Sequence, residues 1–180
     1  DVWDYDVASQ PTLFDFPGED GPVPAVVQAT KMGHVFLLDR DTGKPLFPVE
    51  ERPVPQDGVP GEKLSPTQPF PTHIPPLHPQ TLKPKDAWGF TPWDRALCAE
   101  ILGRYRSDGI FTPASLEGTI QYPGSAGGAN WGGVSIDPEA GVLFVNQMRM
   151  PAIVTLIPRL EYEAMPKGEV VYPSELYPME

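Results

Sequence analysis

Apolar and polar positions alternate most clearly between residues 25 and 49. Residues 25–30 form a small and β-branched run, Ala25-Val26-Val27-Gln28-Ala29-Thr30, that predicts a strand. Lys31-Met32-Gly33 predicts a turn and residues 34–39 a second strand. Asp41-Thr42-Gly43-Lys44 supplies another turn, after which residues 45–47 resume extended chain as a third strand. A three-stranded antiparallel meander of this kind has to bury its faces against neighbours, as the blades of a propeller do. The same alternation over Val134-Ser135-Ile136-Asp137 and Val142-Leu143-Phe144-Val145, around a Pro138-Glu139-Ala140-Gly141 turn, predicts a hairpin. Shorter strands are expected at 109–112 and 118–122.

Helical spacing occurs once at length. Thr91-Pro92-Trp93-Asp94 reads as a capping box with proline at the first helical position. Leu97, Cys98, Ile101, Leu102 and Tyr105 follow at helical intervals, which predicts a helix near 92–106 packed on a sheet, with Cys98 as a buried inert thiol. Between 48 and 87 proline recurs so densely that the segment is expected to run over the surface as an extended excursion. From 158 to 180 the chain is acidic and proline-containing and is expected to be loose.

Composition narrows the class. The 25 prolines and 17 glycines among 180 residues are interleaved with apolar residues, which favours a loop-rich, all-β fold over disorder. Against 24 acidic side chains stand 13 basic ones, a net charge of −11 that argues against nucleic acid and anionic lipid as partners. No run approaches the roughly 20 apolar residues needed to cross a bilayer. The opening Asp1-Val2-Trp3-Asp4 shows neither a signal peptide nor an initiator methionine, so the chain is expected to begin inside a longer protein. His34, His73 and His78 lack metal-ligand spacing, Asp39-Arg40-Asp41 reads as a turn, and the glycines at 124, 127 and 128 lack the partners of a phosphate loop.

Five segments in order carry a resemblance. They are Asp1-Val2-Trp3-Asp4-Tyr5-Asp6 with Gln10-Pro11-Thr12-Leu13, the stretch from Lys31 to Arg40, Thr67-Gln68-Pro69-Phe70, Gly109-Ile110-Phe111-Thr112-Pro113, and Asn130-Trp131-Gly132-Gly133. Together they make the chain similar to the membrane-bound quinoprotein dehydrogenases that oxidise glucose, quinate or shikimate, and polyols with pyrroloquinoline quinone (PQQ). The resemblance implies part of an eight-bladed β-propeller: two to three blades over 1–157, with 48–87 as a proline-rich excursion and one inserted helix, then the tail at 158–180.

The resemblance also implies roles. Asp4 matches the catalytic aspartate that takes the proton of the substrate hydroxyl, whereas taken alone it reads as a turn residue. Lys31, 27 residues on, matches a basic residue beside the cofactor, where an ammonium stabilises charge on the reduced quinone; taken alone it is a hairpin tip. Asn130 and Trp131 fall where the family places residues near cofactor and substrate, as a hydrogen-bonding group and an aromatic wall. The glucose-oxidising members carry Glu at the position of Asn130, a departure that tilts the expected substrate toward quinate or shikimate, with glucose or a polyol next. PQQ with calcium or magnesium held mostly elsewhere, membrane quinone as electron acceptor, the rest of the parent propeller as partner, and a periplasmic, membrane-associated location complete the implication. The alternative is a non-catalytic propeller module that binds a partner.

Overall fold

The structure is a computed structural model that describes residues 2–165. Nine short strands form four small antiparallel sheets, with two α-helices among the described residues. The largest sheet joins β1 (Thr12–Gly18), β2 (Gly21–Ala29) and β3 (Val35–Asp39) in that order. Strand β2 explains its own position. Alternate residues Ala25, Val27 and Ala29 are buried, and Val35 and Leu37 of β3 stand opposite them, with Ala29 facing Val35 and Val27 facing Leu37. Ala129, from a loop far along the chain, completes this core.

The meander is shifted relative to the expectation. Residues 45–47 contribute one isolated bridge, Leu38 to Pro45, because a proline lacks the N–H a ladder requires. The third strand is β1, which precedes the predicted meander and which the sequence pattern did not single out. There Pro17 pairs with Pro22 one step from the end of the β1–β2 hairpin, where Gly18 and Gly21 flank the Glu19–Asp20 tip. Asp39-Arg40-Asp41 is a turn: Asp39 Oδ1 accepts hydrogen bonds from the Asp41 and Thr42 backbone amides and the Thr42 hydroxyl.

The proline-rich segment is more ordered than expected. Within 48–87 lies a two-stranded sheet, β4 (Val49–Pro53) with β5 (Thr67–Pro71), in which Glu51 faces Pro69. Prolines 53, 69 and 71 are tolerated because neither strand has a second neighbour. Residues 109–112 form a turn, not a strand: the Thr112 amide and hydroxyl both donate to the Gly109 carbonyl. The strand β6 (Thr119–Gln121) pairs with β9 (Ala152–Val154), and β7 (Val134–Asp137) with β8 (Val142–Val145) forms the hairpin its alternation predicts.

Helix α1 (Pro92–Gly103) starts as predicted: Thr91 Oγ1 accepts from the Asp94 amide, and the Asp94 carboxylate accepts from the Thr91 amide. Its packing does not follow the prediction. No residue of the helix is buried, Leu97 is 56 % exposed, and Cys98 lies exposed on the surface. The helix rests on the short 3-10 turn Pro84–Asp86 instead of on a sheet, so its apolar stripe has little to cover it. The expected loose tail opens with a helix, α2 (Arg159–Ala164), and residues 166–180 lie outside the described residues. No helix among the described residues is long and apolar enough to cross a membrane.

Candidate functional site

The chain enters the molecule along a strap, residues 2–10, that belongs to no sheet. Its sequence alternates by function. Trp3 and Tyr5 are buried with Val54, Ile110 and Phe111, both rings meeting Phe111 edge to face. The Trp3 indole donates to the Phe111 carbonyl at 2.9 Å and the Tyr5 hydroxyl to the Pro123 carbonyl at 2.6 Å, so neither aromatic leaves a polar group stranded. Burial pushes the Tyr5 hydroxyl pKa well up, which keeps it a donor. With both aromatics turned inward, Asp4 and Asp6 face out. Asp4 has φ +55°, a left-handed conformation that a short polar side chain tolerates better than most.

Lys31 comes from the turn between β2 and β3. That turn is closed by Thr30 and His34, whose backbone and hydroxyl bonds cross it, and by Gly33 at φ +75°. The Lys31 side chain is only 11 % exposed and its ammonium meets both strap carboxylates: Asp6 Oδ1 at 2.6 Å and Asp4 Oδ1 at 3.5 Å, with the Asp4 carbonyl at 3.3 Å. Asp4 and Lys31 therefore sit side by side. Asp6 is the residue that sequence reasoning missed. The signal was the Asp-Tyr-Asp alternation, which puts both acids on one side of a strap pinned by the aromatics between them. Burial pulls the Lys31 pKa down, but the Asp6 hydrogen bond and the charges of Asp4 and Asp6 outweigh it and hold it above the ordinary value. Its partner Asp6 is held below the usual carboxylate range, chiefly by the bond to Lys31.

The third wall is the loop 124–131. The Gly128 amide donates to the Lys31 carbonyl at 2.6 Å and the Ala129 amide to the Thr30 carbonyl at 3.3 Å, stitching this loop to the lysine turn. Gly127, at φ +80°, lies against the Lys31 stem, where a Cβ would come within 2.5 Å of Cγ. Behind both turns is His78, buried between Gly33 and Gly128, with Nδ1 on the Pro79 carbonyl at 2.7 Å and Nε2 without a hydrogen-bond partner.

Asn130 and Trp131 leave this loop directly. Asn130 spends its amide locally: Nδ2 donates to the Ala126 carbonyl at 2.6 Å and Oδ1 accepts from the Trp131 amide at 2.9 Å. Its side chain organises the loop, while the Trp131 ring, 85 % exposed, presents open faces. Among the described residues no three His, Cys, Asp or Glu side chains gather to hold a metal ion.

Comparison with known proteins identifies the family. Residues 1–177 match the family described as PQQ: glucose/ethanol/alcohol dehydrogenase, beta-propeller domain. The chain is 49 % identical over 162 residues to the glycerol dehydrogenase large subunit of Gluconobacter oxydans, covering 88 % of this chain and 22 % of that protein. It is 44 % identical to the quinate/shikimate dehydrogenase (quinone) of Acinetobacter baylyi, covering 87 % and 20 %. It is also 44 % identical to the quinoprotein glucose dehydrogenase of Gluconobacter oxydans, covering 88 % and 20 %. The chain thus spans about a fifth of the length of these relatives. With the family model matched along nearly its whole length, the chain belongs to the β-propeller family of PQQ-dependent quinoprotein dehydrogenases, which are oxidoreductases.

Proposed function

We propose that this chain is the part of a PQQ-dependent dehydrogenase that carries its catalytic base, Asp4, and a cofactor-facing cation, Lys31, for oxidation of a polyhydroxy alcohol. The observation that supports this most is the contact itself. Two residues 27 apart in sequence place carboxylate and ammonium 3.5 Å from each other, beside a stitched loop that ends at the exposed indole of Trp131.

The residues present fit one edge of the cofactor. Lys31 offers a nearly enclosed cation, and Gly127 and Gly128 leave out side chains that would strike Lys31 and His78, so backbone and ammonium form a shallow cradle. Asp4 and Asp6 already balance that cation, so most of the further positive charge an anionic quinone needs, and most of the ligands of a calcium or magnesium ion, come from the rest of the parent propeller. When bound, PQQ supplies the hydride acceptor. Asp4, 49 % exposed, is open to a substrate hydroxyl and accepts its proton. Lys31 opposes negative charge at the cofactor edge. Trp131 offers a ring face to cofactor or sugar, and Asn130 holds the loop that carries it.

For the substrate, Asn130 in place of an acidic residue removes a charge that would repel a carboxylate, which favours quinate or shikimate. A glycerol-type polyol is the second reading, favoured by the 49 % identity to a glycerol dehydrogenase large subunit. Electrons pass on to membrane quinone at the periplasmic face of the inner membrane, with the rest of the propeller as structural partner. Substituting Asp4→Asn in a full-length enzyme carrying this segment tests the assignment. PQQ-dependent turnover of quinate, shikimate, glucose and glycerol should fall about 100-fold or more while the folded protein is retained. Turnover within threefold of wild type would instead support a non-catalytic role for the segment.

A further inference from the structure

We propose that Asp6 is the positioning residue for Lys31: it takes the short ion pair, aims the ammonium, and leaves the Asp4 carboxylate outside a tight salt bridge. This rests on the reading of Asp4 as base and Lys31 as cofactor-facing cation. The distances carry it. Lys31 Nζ is 2.6 Å from Asp6 Oδ1 but 3.5 Å from Asp4 Oδ1, so the charge-assisted bond belongs to Asp6 and Asp4 keeps only a long contact.

A base locked into the shorter bond would have to break it to collect a proton. Dividing the work between two acids avoids that. Asp6 is held at its post by Tyr5, the buried neighbour whose hydroxyl bond to the Pro123 carbonyl ties the strap beside the glycine loop. The Lys31 stem cannot swing away because Gly127 lies against it. The ammonium can therefore respond to the loss of Asp6 mainly by moving toward Asp4.

The charged groups facing Lys31 are few. The strap contributes Asp4 and Asp6, and the 124–128 loop and the end of β2 contribute none. His78, behind Gly33 and Gly128, is kept neutral above pH 7 by burial, which pulls its pKa down, as does the charge of Arg149. Among these groups Asp6 gives the strongest push on Lys31 toward the protonated form, so removing it lets the lysine lose its proton at lower pH.

The experiment compares wild type, Asp6→Asn, Asp6→Glu and Asp4→Asn in a full-length enzyme carrying this segment. PQQ binding to the apoprotein is followed by quenching of tryptophan fluorescence from pH 6 to 10, and kcat and KM are measured beside it. Wild type should bind PQQ with a dissociation constant that stays level to about pH 10. Asp6→Asn should lose affinity at least about one pH unit earlier and show a kcat lowered about 10-fold, with KM for the alcohol within about twofold. Asp6→Glu should restore most of the wild-type profile. An Asp6→Asn enzyme whose binding profile and kcat match wild type overturns the proposal. So does a variant that loses affinity equally at every pH, melts lower as apoprotein and is not rescued by Glu, because that describes a merely structural residue. An Asp4→Asn enzyme that remains active defeats the base assignment, while the Asp6 binding profile still reports on Lys31 by itself.

Discussion

Acid should weaken this fold through its buried histidines, His34 above all. Its imidazole is 1 % exposed and lies against Phe36 and Phe70, with ring centroids 6.3 and 5.1 Å away. The Gln80 amide lies 2.5 Å from Nε2, which makes Nε2 the acceptor and leaves the proton on Nδ1, an atom with no hydrogen-bond partner. A second proton would place a full charge in this apolar setting. Burial pushes the pKa down from 6.5 to about 4, and the charges of His78 and Arg52 add to it. The folded value lies below the unfolded one, so the stability contributed by neutral His34 is complete above about pH 6.5 and is lost as the pH falls toward 4. At 1.36 kcal/mol per pH unit the loss amounts to about 3 kcal/mol, a large share of the stability of a small domain. Urea unfolding of this chain at half-unit steps from pH 7.5 to 4, with and without His34→Gln, isolates the effect. Glutamine retains an acceptor for Gln80 but does not titrate. The variant should start about 1 kcal/mol or more below wild type through lost ring packing, and the gap should close or invert by pH 4. Two stability curves that remain parallel over the whole range would refute the reasoning.

Other outcomes follow from features of the site and surface. Gly127→Ala should cost about 1–2 kcal/mol in urea unfolding, because it combines φ +80° with a Cβ 2.5 Å from Lys31 Cγ, and should weaken PQQ binding in a full-length enzyme. The chain by itself should bind PQQ weakly, since it spans about a fifth of the length of its relatives and so offers only part of their contacts; fluorescence titration giving a submicromolar dissociation constant would contradict this. Cys98 should react with a thiol reagent in the native chain nearly as fast as in urea, because it lies exposed on α1.

What the sequence disclosed depended on how local the signal was. The β7–β8 hairpin and the N-cap of α1 were legible because each is written within a few residues: strict alternation in one, Thr91 with Asp94 in the other. Strand β1 was hidden because the prolines around its hairpin, Pro17, Pro22 and Pro24, favour turns, and only the register with β2 shows Pro17 and Pro22 paired next to the hairpin tip, where a missing N–H costs little. The exposure of α1 was not legible at all: its stripe from Leu97 to Tyr105 promises a sheet, and whether one lies beneath is a property of the rest of the chain. The Asp4–Lys31 contact was legible only through resemblance, since nothing in either residue's own neighbourhood points to the other. Asp6 was visible as a letter but not as a partner, because its role depends on Trp3 and Tyr5 burying the opposite side of the strap.

That strap has a consequence for enzyme populations. Residues 2–10 join no sheet, so the carboxylates reach Lys31 only while Trp3 and Tyr5 are docked, and one local equilibrium governs both acids together. If undocking costs about 1.4 kcal/mol, roughly one molecule in ten lacks the complete site at any instant; at twice that cost it is about one in a hundred. Apparent affinity for anything that needs the assembled trio is scaled by the docked fraction, although no residue of the trio has changed. Substitutions at Phe111 or Val54, which never approach the acids, would then act as a dimmer on turnover: they lower the number of competent molecules and leave the chemistry of each one intact.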